Sequence, residues 1–325
     1  MKSTTMKCRK LWSVVIVLFG LTSISMAQTL QESTEARNRG AELMSRGDLD
    51  GAITELEKCI EISKKVGPEA DENREVAEMA VPSLYLQKAE KLVKAKDYEA
   101  ALKAFETTIA VADKYKNSDI KEKAEKPIPD VYYALGATAF QGKDFEPAIS
   151  NLNNAVKLDP DMAKAYYVLG AVYQTQKEEE KMEENYKLAI EKAESTNDRS
   201  TLQRSTRALI SFYNNKGVNA VQGKKYDEAI STFTKLLEID DTYASAYYAL
   251  AKAYNEKKSW DQAISVIEKG LTVDKADKSS LNFELGNAYF GKKDNGKACE
   301  AYKQVTEGAF VPNAKYQIET VLKCK

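Results

Sequence analysis

Seven segments of the chain share one register, and that register limits the fold more than any other feature. They are RGDLDGA (46–52), AKDYEAA (95–101), GKDFEPA (142–148), QKEEEKM (176–182), GKKYDEA (223–229), KKSWDQA (257–263) and KKDNGKA (292–298). Four residues beyond each stands a bulky apolar side chain: Leu56, Phe105, Leu152, Tyr186, Phe233, Ile267 and Tyr302. Twelve residues before each closing position stands a small one: Gly40, Ala89, Gly136, Gly170, Gly217, Ala251 and Gly286. Self-similarity at a fixed period marks an array of small supersecondary units, none able to bury its apolar face alone.

The third copy, YYALGATAFQGKDFEPAISNLNNAVKLDP, carries Leu135-Gly136, Ala148 and Pro160, and YYVLGAVY (166–173) and FELGNAYF (283–290) repeat its opening. This pattern resembles the tetratricopeptide repeat, over nearly all of residues 28–325. The resemblance implies an all-α, right-handed α-solenoid of about seven helix pairs. They fall near 33–66, 82–115, 129–162, 163–196, 210–243, 244–277 and 279–311, with a capping helix at 312–325. In the cap, Ala314, Ile318, Val321 and Leu322 share one helical face. Small residues of one helix are expected to meet small residues of its partner, so that the backbones approach closely. Met182 interrupts the small column, and Lys88 and Lys216 stand where the family usually has leucine.

Between Ala52 and Ala101, Ala101 and Ala148, and Met182 and Ala229 the spacing exceeds a repeat by 13 to 15 residues. The surplus segments are charged and helix-prone, and about fourteen residues add two turns to each of two facing helices. Elongated helix pairs are therefore expected, with tips at Gly67-Pro68 and Asn197-Asp198 and a bend near 194–208. Asp48, Asp97, Asp144 and Asp294 are placed to cap helices, and Ser259 with Gln262 to form a capping box.

Residues 1–27 read as a cleaved secretory signal. Lys2, Lys7, Arg9 and Lys10 precede the apolar run LWSVVIVLFGL, and small Ser25 and Ala27 follow it. Without that segment, 44 basic and 49 acidic residues leave a net charge of −5, which gives no electrostatic reason to bind nucleic acid or anionic lipid. Export to a periplasm, with no stable membrane insertion afterwards, is the expected localisation. Histidine is absent, which removes the commonest general base near neutral pH and the commonest zinc ligand. No cofactor or metal is implied, and no nucleophile–base constellation argues for an enzyme. GKKDNGKA (291–298) imitates a phosphate-binding loop, but Ala298 replaces the hydroxyl and a helix precedes it. Cys59 falls in a column of small core residues. Cys299 and Cys324 are brought together if the last two helices pack antiparallel, as a disulfide or as two free thiols.

The stripe of each first helix that looks out of the concave groove in tetratricopeptide proteins collects Leu86, Tyr133, Phe140, Tyr167, Tyr248, Phe283 and Phe290. Gln141, Asn214, Gln222, Asn255 and Asn287 lie among them, with Arg37 and Lys252 the cations. Aromatic rings interleaved with amides suit a neutral or apolar peptide segment rather than a carboxylate terminus. The expected function is a non-catalytic scaffold of the bacterial envelope that binds a protein or peptide partner in this groove. The alternative is a structural subunit of an envelope machine for secretion, assembly or motility, using its convex face and long pairs, and self-association is compatible with both.

Overall fold

A computed structural model describes residues 29–273 and 275–325; the signal sequence expected at 1–27 lies outside them. The described residues form helices and no strand. The chain divides between Val168 and Leu169 into two compact units.

The first unit holds α1 (29–45), α2 (Leu49–Val66), α3 (Asp71–Lys94), α4 (Tyr98–Lys114), α5 (Ser118–Glu125), α6 (Ile128–Gln141), α7 (Phe145–Leu158) and the start of α8 (Ala163–Gln176). The second continues with α9 (Glu179–Ser195), α10 (Arg199–Gln222), α11 (Tyr226–Ile239), α12 (Ala244–Glu256), α13 (Trp260–Gly270), α14 (Lys278–Gly291), α15 (Asn295–Lys303) and α16 (Val311–Tyr316). These are the seven pairs of the repeat, from α1 with α2 to α14 with α15, and α5 stands outside the scheme. The division falls inside α8 rather than at 194–208, where α9 and α10 run packed along each other.

The glycines of the small column explain the pairing. A Cβ added at Gly40, Gly136, Gly170, Gly217 or Gly286 would come within 2.5–2.7 Å of Leu56, Leu152, Tyr186, Phe233 or Tyr302. Small therefore faces large. The bulky residue one turn beyond each alanine lies over the missing side chain, while the alanine's own backbone carbonyl flanks Gly40 and Gly136. All five bulky partners are at most 2% exposed. Met182 is absorbed at 1% exposure. Lys88 and Lys216 pair with Asp50 and Glu179, in the first turn of the preceding second helix, as Lys257 and Lys292 do with Asp227 and Asp261. All are solvent-exposed pairs, worth fractions of a kcal/mol each.

The turns within pairs reuse one geometry: Gly47, Lys96, Lys143, Lys177, Lys224, Lys258 and Lys293, five residues before each column position, all have positive φ. Asp48, Asp97 and Asp294 then cap the following helix by accepting from the N–H of the residue three ahead, at 3.0, 3.2 and 3.1 Å. Asp144 does not, because the residue three ahead is Pro147, which has no N–H to offer. Ser259 begins α13 without a side-chain cap bond, so the expected capping box is not formed.

Two of the three long junctions are elongated pairs. The 18-residue α2 meets the 24-residue α3 through Gly67 (φ 94°) and a 3-10 turn at Pro68–Ala70. Likewise α9 and the 24-residue α10 join through Asn197 (φ 58°), with Asp198 capping α10. The middle junction differs. Pro127 and Pro129 remove two amide donors in one turn, so the surplus folds as the separate α5, packed on α3 and α4.

At the C-terminus, α16 runs into a π-helical turn at Gln317–Val321, where the Leu322 N–H reaches the Gln317 carbonyl at 2.9 Å. The extra residue rotates the face. Ala314, Ile318 and Leu322 pack on the core of the last pair, but Val321, expected beside them, is 42% exposed. A disulfide joins Cys299 to Cys324, with Cα atoms 5.8 Å apart.

Candidate functional site

The aromatic stripe is positioned three residues before each small-column residue. A helix that presses its glycine onto the partner at one angle must turn the residue three positions earlier about 60° away from that contact. In the first unit this places Tyr133 and Tyr167 half-buried, with Phe140 half-buried and Gln141 exposed two turns beyond Tyr133. The Lys164 ammonium sits 4.6 Å from the centre of the Tyr133 ring while pairing with Asp130 at 2.5 Å. Phe140 leans on Phe145 at 6.4 Å. Leu86 does not line an open surface: it is 8% exposed, in a core with Ile120 and Ala124 of α5 and Val131 of α6. Arg37 is drawn towards Glu72, 3.9 Å away.

In the second unit Asn214 is half-buried, and Phe290, 42% exposed, is the most open ring of the stripe. Tyr248 and Phe283 are covered by the chain itself. Phe310 stacks on Phe283 at 4.6 Å with planes 10° apart, and its centre lies 6.2 Å from that of Tyr248. Burial, helped by Glu284 and Asp277, pushes the Tyr248 phenol up to about 12.

Asn255 and Asn287 are not a loose amide rim. Asn255 is buried and donates to the Glu284 carboxylate at 2.7 Å and to the Glu284 backbone carbonyl at 2.9 Å. Asn287 donates to the same carboxylate at 3.2 Å and accepts from the Tyr302 hydroxyl at 2.8 Å. Glu284 is 5% exposed; burial raises its carboxyl above the ordinary value, against the two amides and nearby Lys252. Glu284, Phe310 and Lys164 were not candidates from sequence. Glu284 carried a signal: it is the only charged residue two places before the small column in any of the seven copies. Phe310 carried none, since it belongs to no repeat column.

Glu284→Gln keeps an acceptor for both amides and removes the buried charge. It is expected to raise stability at pH 7 by about 1 kcal/mol, read by thermal unfolding. A raised carboxyl makes the wild type gain on acidification, because the folded state takes up the proton first, and the variant lacks that gain. Destabilisation at pH 7 would refute the reading. Glu183 has the opposite sign. Partial burial would raise it, but Lys187 at 2.7 Å and Lys235 at 3.0 Å, with Tyr213 beside them, hold it at about 2. Its contribution is complete above 4.5 and is lost as pH falls towards 2.

Among the described residues, no group of three or more acidic or cysteine side chains is placed to hold a metal ion, and no helix is long and apolar enough to cross a membrane. Cys59 is fully buried, 3.6 Å from Ser33 Oγ. Models described as "TPR repeat" and "Tetratricopeptide repeat" match residues 138–177, 163–195, 220–282 and 279–307. The chain is a tetratricopeptide repeat protein. It is 27% identical over 151 residues to human DnaJ homolog subfamily C member 7, covering 45% of this chain and 30% of that protein. It thus spans less than a third of that relative's length. It is 26% identical over 192 residues to the type IV pilus assembly protein PilF of Pseudomonas aeruginosa, covering 58% of this chain and 69% of PilF. The crystal structure of a tetratricopeptide repeat protein from Parabacteroides merdae aligns over 91% of this chain and all of its own, at 14% identity and a TM-score of 0.31. Tetratricopeptide repeats are protein-interaction modules, in general without catalytic activity of their own.

Proposed function

We propose that this tetratricopeptide repeat protein is an exported, non-catalytic scaffold of the bacterial cell envelope that holds a peptide or protein segment against the aromatic stripe of its first helices. The observation that carries the reading is the recurrence of rings at one offset: Tyr133 and Tyr167 half-exposed, Tyr248 and Phe283 beneath Phe310, extended by Phe140 and Phe290 two turns on. Rings with one face open lose little side-chain entropy on binding and bury a large apolar area, so they suit transient recognition. The segment before Gln28 supports export, and the name of PilF, an assembly protein, supports an envelope role.

A second reading, a structural subunit that docks through its long pairs, is favoured by Val76 and Met79. These lie on the extended half of α3 at 46% and 70% exposure. One experiment separates the two. Partners captured from envelope extract would be purified and rebound to the wild type, to Tyr133→Ser/Phe140→Ser/Tyr167→Ser, and to Val76→Ser/Met79→Ser, with circular dichroism to check folding. Loss of binding only in the first variant supports the stripe. Loss only in the second moves the site to the long pair, and binding retained by both rejects the groove.

A further inference from the structure

Phe310 sits where the side chain of a bound segment would sit. Its ring lies against the two stripe positions Tyr248 and Phe283, from successive first helices, and is stacked on the latter. Residues 304–310 that deliver it are not helical. Val305 is buried against Tyr302, the Glu307 N–H donates to Ser279 Oγ at 3.2 Å, and Gly308 turns the chain at φ 81°. This is a non-helical, turning segment docked on the first helix of a repeat by one backbone bond and one aromatic anchor. Beside it a cavity of ≈ 670 Å³ stays open, with Tyr243, Tyr248, Ser245, Asp277 and Leu281 in its wall and Phe310 closing one side. The segment lies within the loop closed by Cys299 and Cys324.

The geometry points to an autoinhibited peptide site in the second unit. The chain's own segment around Gly308, Ala309 and Phe310 stands in for a partner segment of the same chemistry: turned at a glycine, uncharged at its centre, with a phenylalanine anchor after small residues. The Cys299–Cys324 disulfide is the latch. A dithiol that passes two electrons and two protons to it leaves thiols at Cys299 and Cys324 and becomes a cyclic disulfide. The freed loop then gives up Tyr248 and Phe283 to a partner. This rests on the reading of the stripe as a binding surface.

The test uses the whole mature chain and a fluorescent peptide of residues 304–312, QVTEGAFVP, as probe. Fluorescence anisotropy is expected to show binding to Phe310→Ala at least about tenfold tighter than to the oxidised wild type, the scale of one aromatic contact. Adding Phe283→Ala should remove that gain, as should replacing phenylalanine by alanine in the probe. Wild type treated with dithiothreitol, which involves no substitution, should gain binding to a similar extent. Equal binding by oxidised wild type and Phe310→Ala overturns the proposal, as does no binding by either the folded variant or the reduced wild type. If the probe fails while partner capture still depends on Tyr133 and Phe140, the autoinhibited site falls and the binding role of the stripe stands.

Discussion

Replacing Gly286 by alanine is expected to destabilise the chain by about 1–3 kcal/mol, although alanine is the better helix former by about 1 kcal/mol. The new methyl would lie 2.5 Å from ring carbons of Tyr302, which is 1% exposed and tied by its hydroxyl to Asn287. A rigid ring held at both ends cannot give way as a flexible side chain does, so the helices must part. Gly296, in the first turn of α15, supplies the control, because its nearest neighbour would be an Asp294 oxygen at 3.8 Å. Gly296→Ala is expected to stabilise by about 0.5–1 kcal/mol through unfolded-state entropy. Thermal unfolding of both variants at one pH checks the pair. Stabilisation by both changes would show that helix propensity, and not the close approach, governs the column.

Loss of the Cys299–Cys324 disulfide should have an effect of similar size, confined to the end of the chain. Closing a loop of this sequence separation, 25 residues, stabilises by about 3 kcal/mol in the chain-entropy account. Apart from the disulfide, α16 and the turn after it are held by Ala314, Ile318 and Leu322 and by a Lys303 ammonium bond to the Lys325 carbonyl at 2.7 Å. In Cys299→Ser/Cys324→Ser, amide protection from Val311 to Leu322 should fall at least about tenfold. Protection in α9 to α11 should be unchanged, because stacked repeats contact only their neighbours. Unchanged protection of the cap would mean that its apolar contacts hold it without the cross-link.

The pairing scheme was legible because it rests on a local rule repeated seven times. A glycine or alanine, a bulky residue sixteen positions on and a turn residue between them lie within a few turns of each other, so the period itself displays their contact. The tips at Gly67 and Asn197 were legible for the same reason, since a positive φ or a proline is a property of the residue and its neighbours. The middle junction was misread. Its surplus length matched the other two, but Pro127 and Pro129 turned two extra turns into a separate helix. Val321 was misread because the π turn that rotates it leaves no mark on a helical wheel.

The site divides along the same line. The sequence by itself determined the helix pairs, their order and the residues that each first helix turns away from its partner, because all of these follow from helical geometry within some thirty residues. Which of those residues stay open was decided only by the tertiary structure. Leu86 lies under α5 and α6, Tyr248 and Phe283 under Phe310, and Asn255 is committed to a buried Glu284. Each covering group comes from a segment outside the repeat columns or from the neighbouring pair, so no spacing within a copy encodes it. Burial is a sum over everything that packs nearby, and a periodic sequence reports only the part that repeats.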